Sequence, residues 1–98
     1  MKIERAHQNG NDAYRFNIED SIALEIGGTA VSTLGIEMPS SGSVDEYYNA
    51  IEKHFDIEKM VSDILNKNKA DKIVINSEGC HANGKIVFQV EDLKKYVK

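Results

Sequence analysis

Cys80 and His81 are the adjacent pair in this sequence whose types could suggest nucleophilic catalysis. A cysteine reacts as its thiolate, so a reactive cysteine needs a nearby base or positive charge that lowers its pKa. Neighbouring side chains in an extended segment point in opposite directions, which places His81 poorly for serving Cys80. We expect both side chains to lie in a polar loop without a chemical role, and Cys80→Ser to leave the fold intact.

A metal site would need ligands that this sequence does not space in a recognised way. Structural zinc takes four ligands, and the three histidines and one cysteine of the chain could supply that number. Their positions, His7, His54, Cys80 and His81, match no zinc motif. We therefore expect no metal and no cofactor, and the sequence as a whole predicts no enzymatic activity.

Charge is distributed unevenly along the 98 residues, whose net charge is −4. Residues 19–58 carry nine acidic side chains and a single basic one, whereas residues 59–98 carry eight basic and five acidic side chains. An acidic surface repels phosphates, and the basic groups of the second segment are lysines with few aromatic neighbours, so direct nucleic-acid binding is not expected. The acidic segment is either a solvated surface or one that meets a basic partner.

The acidic segment also contains the side chains best suited to bind a protein partner. Tyrosine is enriched at interface cores because it combines apolar area with a hydroxyl group, and this segment holds two adjacent tyrosines. The helix predicted here can bury both rings or leave one at the surface. If the acids meet a basic partner, reversing the charge of several of them should slow association. The predicted partner-binding residues are Asp45, Glu46, Tyr47, Tyr48, Glu52 and Asp56.

Length and composition favour one small globular domain spanning residues 1–98. No apolar run approaches the ~20 residues that a membrane-spanning helix needs, and the first residues lack the apolar core of a signal peptide. The single cysteine excludes an intramolecular disulfide. We therefore expect a cytoplasmic protein without a membrane partner.

The first part of the chain shows the alternation of apolar and polar residues that is typical of half-buried strands. Residues 2–6 and 14–18 form one predicted pair, separated by a turn-forming run that contains Asn9-Gly10. Asn-Gly accepts the positive φ angles of tight hairpins, so these two strands are predicted to pair antiparallel. A third strand is predicted over residues 22–26.

A glycine pair at positions 27 and 28, followed by Thr29, is too short to be a phosphate-binding loop. It lacks the spaced glycines and the Lys-Ser/Thr ending of a Walker motif. We expect it to form a hairpin turn into a fourth strand that runs from Thr29 to Met38, in which Leu34, Ile36 and Met38 share one parity.

The region that follows contains two helical apolar stripes that are out of phase. At ~100° per residue the stripes lie roughly 130° apart around one cylinder, so a single straight helix would have to bury two faces. We predict a break within His54–Asp56, with Ser43 capping the first helix and Asp56 the second. The alternative is one continuous helix that packs against a second partner. The first stripe comprises Val44, Tyr47, Tyr48, Ile51 and Phe55, and the second comprises Ile57, Met60, Val61, Ile64 and Leu65.

The last third of the chain reads as strands again. Residues 72–76 and 85–90 are two predicted strands, joined by a loop over residues 77–84, and residues 91–97 form a last helical turn or two. The complete prediction is an α+β fold, an antiparallel β-sheet with helices packed on one face, in the chain order ββββ-αα-ββ-α.

Three classes of function are compatible with these features. We favour a small non-enzymatic protein-binding module, whose partner is another protein or a second copy of the chain. The alternative is an acidic nucleic-acid mimic that inhibits a nucleic-acid-binding enzyme, as phage anti-defence proteins of this size do. A thiol or metal enzyme built on Cys80 and His81 is the least favoured, and no motif carries a resemblance to a known family.

Overall fold

The computed structural model describes residues 1–6, 13–19 and 21–98 of the chain. The described residues form an α+β fold with a six-stranded sheet and four α-helices. A short 3₁₀ turn, Lys94–Tyr96, continues the last helix. The strands are β1 (Ile3–Arg5), β2 (Ala13–Ile18), β3 (Ile22–Gly27), β4 (Lys72–Asn76), β5 (Gly79–Ala82) and β6 (Lys85–Phe88), and the helices are α1 (Gly28–Thr33), α2 (Val44–His54), α3 (Ile57–Lys67) and α4 (Val90–Leu93).

The six strands lie side by side in the order in which they occur in the chain. Four of the five neighbouring pairs are antiparallel, as predicted, and the pair β3–β4 is parallel. A parallel pair needs a crossover connection, and α1, α2 and α3 together form it. The prediction of a wholly antiparallel sheet is therefore wrong at this one junction. The turn predicted at Asn9-Gly10 lies outside the described residues, although the antiparallel pairing of β1 with β2 is confirmed.

The predicted fourth strand and the hairpin turn before it are wrong, because the chain enters α1 directly after β3. Ala30, Val31 and Leu34 are buried, and this spacing places their side chains on one face of a helix. The chain order is consequently β-β-β-α-α-α-β-β-β-α instead of ββββ-αα-ββ-α. The segment after α1, residues 36–43, forms no helix or strand and leads to α2.

The loop predicted over residues 77–84 contains a strand, β5, which the sequence did not reveal. β5 pairs with β4 on one side and with β6 on the other, so it lies inside the sheet. The turn into β6 is Asn83-Gly84, and both residues have positive φ, the pattern of a two-residue type I′ hairpin. Cys80 therefore belongs to the core of the protein and not to a polar loop.

The predicted helix break is confirmed. α2 ends at His54, and Phe55 takes an extended conformation that bridges to Val97 near the chain end. Asp56 then caps α3, where its Oδ1 accepts a hydrogen bond from the Lys59 N–H at 3.1 Å. The two helices consequently turn their separate apolar stripes toward one core, which contains Ile51 of α2 and Met60, Val61 and Ile64 of α3.

The core takes alternate side chains from the strands, which explains their period of two. The buried strand residues are Phe16 and Ile18 of β2, Leu24 and Ile26 of β3, Ile73 and Ile75 of β4, and Cys80 and Ala82 of β5. They join the buried helix residues in one hydrophobic cluster. Side chains of the other parity on these strands lie on the opposite side of the sheet.

Candidate functional site

The start of α2, where the predicted partner-binding residues begin, is stabilised by its own sequence. Ser43 Oγ accepts a hydrogen bond from the Glu46 N–H at 3.3 Å, which satisfies one of the free donors of the first turn. Asp45 and Glu46 lie in that turn and Lys53 in the last, an arrangement that complements the helix dipole. Part of the acidic character of this segment therefore serves the helix itself.

One side of α2 is tied to β1 by Arg5. Its guanidinium forms ion pairs with Glu52 and with Asp45, the second at 3.4 Å, and donates a hydrogen bond to Asn49. The hydrogen bond with Glu52 raises the pKa of Arg5, whose guanidinium also lies 5.7 Å from the centre of the Tyr48 ring. Two of the predicted partner-binding acids therefore act within the chain, where they hold a helix against an edge strand.

The two tyrosines of α2 occupy different environments. Tyr48 is only 3% exposed, and its hydroxyl oxygen accepts a hydrogen bond from the Arg15 N–H at 2.9 Å. Its ring contacts Phe16 and Tyr14 edge to face, with centroid distances of 5.2 and 5.5 Å. Tyr48 is thus a core residue, whereas Tyr47 is half-buried and reaches solvent.

The adjacent face of α2 lines a groove of about 370 Å³, which we call the acidic groove, and Asn49 contributes to both faces. The segment after α1 forms its second wall. Met38, Pro39 and Ala50 give it apolar surface, and two acidic residues, Glu37 and Glu46, also line it. Among the described residues, neither of these carboxylates has an ion-pair partner. The groove is lined by Glu37, Met38, Pro39, Glu46, Asn49, Ala50, Lys53 and His54.

The six predicted partner-binding residues therefore do not form one surface. Glu46 lines the acidic groove, Asp45 and Glu52 bind Arg5 on the adjacent face of the helix, and Tyr48 is buried. Tyr47 is half-buried, and Asp56 is half-buried as the cap of α3.

The groove walls and the counter-ion of the acids were not identified from the sequence. The sequence predicts Glu37 and Met38 at the end of a strand and Pro39 in a loop, and neither prediction places them opposite α2. A signal for Arg5 was present, since it has the same parity in β1 as the apolar Ile3. A charged residue at an inward-facing strand position indicates an internal partner of opposite charge.

A metal site would require several ligands that lie close together. Among residues 1–6, 13–19 and 21–98, no three His, Cys, Asp or Glu side chains are grouped as a metal ion would require, and His7 lies outside these ranges.

Comparisons of the chain with protein-family models, with curated proteins and with solved structures found no match. In the described parts of the chain, no helix combines the length and apolar character needed to cross a membrane.

Cys80 and His81 point to opposite sides of β5, as the sequence indicated. Cys80 is fully buried, and burial raises the pKa of its thiol to about 12, so the thiolate is strongly disfavoured at neutral pH. His81 is half-buried on the other side of the sheet. Among the described residues, no base lies beside the sulfur. The prediction that Cys80 lies in a polar loop is wrong, because Cys80 lies in the core.

The buried position changes the expected effect of Cys80→Ser. A hydroxyl group placed in an apolar core without a designed partner costs about 1–3 kcal/mol, so we expect a loss of unfolding free energy in that range. Cys80→Ala is the matched control, because it removes the sulfur without introducing a polar group, and it should be the milder change. Equilibrium urea denaturation of both variants tests this order, and a serine variant as stable as wild type would contradict it.

Proposed function

We propose that the chain is a small non-enzymatic protein-binding module and that its partner docks in the acidic groove beside α2. The observation that carries the proposal is the pair of carboxylates without ion-pair partners, Glu37 and Glu46, flanking an apolar floor. A lysine or arginine of the partner suits this arrangement. Its aliphatic stem would pack on Met38 and Pro39, and its charged head would bind the carboxylates.

The charge of the groove also changes sign along its length. Glu46 lies in the first turn of α2, and Lys53 and His54 lie at its end. Seven residues of helix separate Glu46 from Lys53, which corresponds to about 10 Å. We therefore expect the partner segment to present a basic and an acidic group about 10 Å apart. Charges arranged in this way mainly raise the association rate and exclude partners of the wrong charge pattern.

The experiment that tests the proposal compares two double charge reversals. Glu37→Lys/Glu46→Lys changes the groove, and Glu78→Lys/Glu91→Lys is the matched control. In each pair one acid lies outside helices and strands and the other in the first turn of a helix, so the change in net charge is the same. Both variants should remain folded.

We expect proteins captured from a lysate by wild type to be captured equally by the control and lost with the groove variant. For a captured partner, the association rate at low salt should fall about tenfold in the groove variant and become less dependent on salt. If both variants bind the partner alike, the acidic groove is not the binding site and the proposal is wrong.

We also propose that all helices pack on one side of the sheet. Tyr48 of α2 packs on Phe16, and Tyr96 after α4 packs on Phe88 at a centroid distance of 5.8 Å. The strand registers give Phe16 and Phe88 the same parity across the sheet. These contacts support a one-sided arrangement, which leaves the other side of the sheet free of helices.

Protein binding remains our preference over the nucleic-acid mimic. A mimic needs a row of free carboxylates spaced like phosphates, and Arg5 neutralises two acids of α2, Asp45 and Glu52. Capture of a nucleic-acid-binding enzyme that is competed away by nucleic acid would favour the mimic. We also propose a cytoplasmic location, which the single cysteine supports because secreted domains of this size commonly carry disulfides.

A further inference from the structure

The side of the sheet opposite the hydrophobic core carries two rows of side chains that run across the strands, and we call it the open face. The strand registers align the members of each row. No member belongs to the buried hydrophobic core, and all are exposed or half-buried. The first row is Glu4, Asn17, Ala23 and Lys72, and the second is Arg15, Glu25, Val74, His81 and Ile86.

The charges of both rows reverse sign about the line that runs between β2 and β3. In the first row, Glu4 on β1 and Lys72 on β4 lie at equal distances on either side of this line. In the second row, Arg15 on β2 and Glu25 on β3 lie directly on either side of it and form an ion pair. A surface with this pattern is complementary to itself.

A two-fold axis along that line would stack two copies with the charges of these two rows opposite their counterparts, while Lys2, which pairs with Glu4 of its own chain at 3.0 Å, lies outside the two rows. The rotation places β2 over β3 and β1 over β4 of the second copy while each row stays at the same height. Glu4 then faces Lys72 of the second copy, and Arg15 faces Glu25 of the second copy. Apolar groups also meet, because Ala6, hydrogen-bonded to Arg15 through its backbone at 2.8 Å, then lies opposite Val74.

Unsatisfied polar atoms provide a second observation on the same surface. Among the described residues, two buried side-chain nitrogens lack a hydrogen-bond partner: Arg15 Nη1, on a strand that the second copy would cover, and His81 Nδ1, on β5 outside the overlapping strands. Native proteins leave few such atoms, and each needs an explanation. Arg15 already binds Glu25 of its own chain through Nη2, so a second carboxylate, reached by a small rotation of the guanidinium, would satisfy Nη1.

We propose that the open face is a homodimer interface and that its occupant is a second copy of this chain, related by the two-fold axis between β2 and β3. Four overlapping strands, ~4.8 Å apart and about five residues long, cover only about 300 Å² of flat sheet per copy. Stable complexes bury about 800 Å² per partner, so this is a weak, transient dimer. The inference is independent of the acidic groove.

The test uses Glu4→Lys and Lys72→Glu, two changes at exposed positions whose side chains lie about 14 Å apart within one copy, three strand spacings. Each variant alone places like charges opposite each other in the dimer, so sedimentation equilibrium should show self-association weakened about fivefold. An equimolar mixture of the two variants pairs every charge correctly, and we expect it to associate at least as tightly as wild type.

A mixture of Glu78→Lys and Lys94→Glu is the control, since it has the same net charges with both changes away from the open face. Each of these variants should self-associate like wild type. Three results would overturn the proposal: a wild type that stays monomeric up to about 0.5 mM, self-association unaffected by either open-face variant, or an open-face mixture that associates no more strongly than its two separate variants.

Discussion

Replacing Phe55 by alanine should lower the unfolding free energy by about 3–5 kcal/mol, the range for deleting a buried aromatic ring. Phe55 is 1% exposed and belongs to the hydrophobic core, and its ring contacts Tyr96 at a centroid distance of 6.2 Å. It is also the single extended residue between α2 and the cap of α3, and it bridges to Val97. The ring therefore fixes the junction of two helices and the end of the chain.

Val44→Ala is the matched control for this prediction, because Val44 belongs to the same apolar stripe but is 56% exposed. Its replacement should change the unfolding free energy by no more than about 0.5 kcal/mol. Equilibrium urea denaturation followed by circular dichroism measures both variants. Equal effects of the two substitutions would show that Phe55 does not anchor the core in the way proposed here.

The helix break could be predicted because two stripes on one cylinder conflict with each other, whatever lies around them. The first three strands could be predicted because their apolar residues alternate and one side of the sheet faces the core. In both cases the signal is local and depends on a geometric period that the chain itself carries.

The two wrong assignments, α1 and β5, have the opposite character. Residues 29–34 contain β-branched residues, which favour strands, yet Ala30 and Leu34 are buried at helical spacing. Residues 79–82 contain glycine and alanine, which are poor strand formers, yet β4 and β6 pair with them on both sides. Tertiary context decided both cases, and it cannot be seen in a short stretch of sequence.

The candidate site could be predicted only in outline for a related reason. An excess of acids between residues 19 and 58 is visible in the sequence, but their counter-ions are not. Arg5 lies 47 positions before Glu52 and still pairs with it, and Arg15 of β2 pairs with Glu25 of the neighbouring strand β3. Which acids remain without partners, and hence where a basic partner could dock, depends on contacts that only the fold creates.

The acidic groove and the open face contain no residue in common, which makes the two proposals separable. Variants at Glu37 and Glu46 should leave self-association unchanged, and variants at Glu4 and Lys72 should leave partner capture unchanged. If dimerisation also proved necessary for partner binding, open-face variants would reduce capture at concentrations below their own, raised dissociation constant and not at concentrations well above it. Measuring both properties on both sets of variants therefore assigns each surface its own role.

The second large effect is expected at Gly79, the first residue of β5. Its φ is +136°, a value that residues other than glycine rarely adopt, and a Cβ there would collide with the carbonyl oxygen of Phe88. The carbonyl carbon of Phe88 and the Cα of Gln89 would lie only 3.3 and 3.4 Å away. All three are backbone atoms, which cannot rotate aside as a side chain could, so β5 and β6 would have to separate.

We therefore expect Gly79→Ala to lower the unfolding free energy by about 3 kcal/mol or more, which for a chain of this size lowers the Tm by about 12 °C or more. Gly84→Ala is the matched control, because its φ is +84° but no atom lies within 4 Å of the added Cβ. Gly84→Ala should lower the unfolding free energy by only about 1–2 kcal/mol, the cost of holding a residue with a side chain in a left-handed backbone conformation. Thermal and urea denaturation of both variants separates the clash from the backbone strain. Equal losses at the two positions would mean that the strands yield to the added methyl group, and that the close approach of β5 to Phe88 contributes nothing to stability.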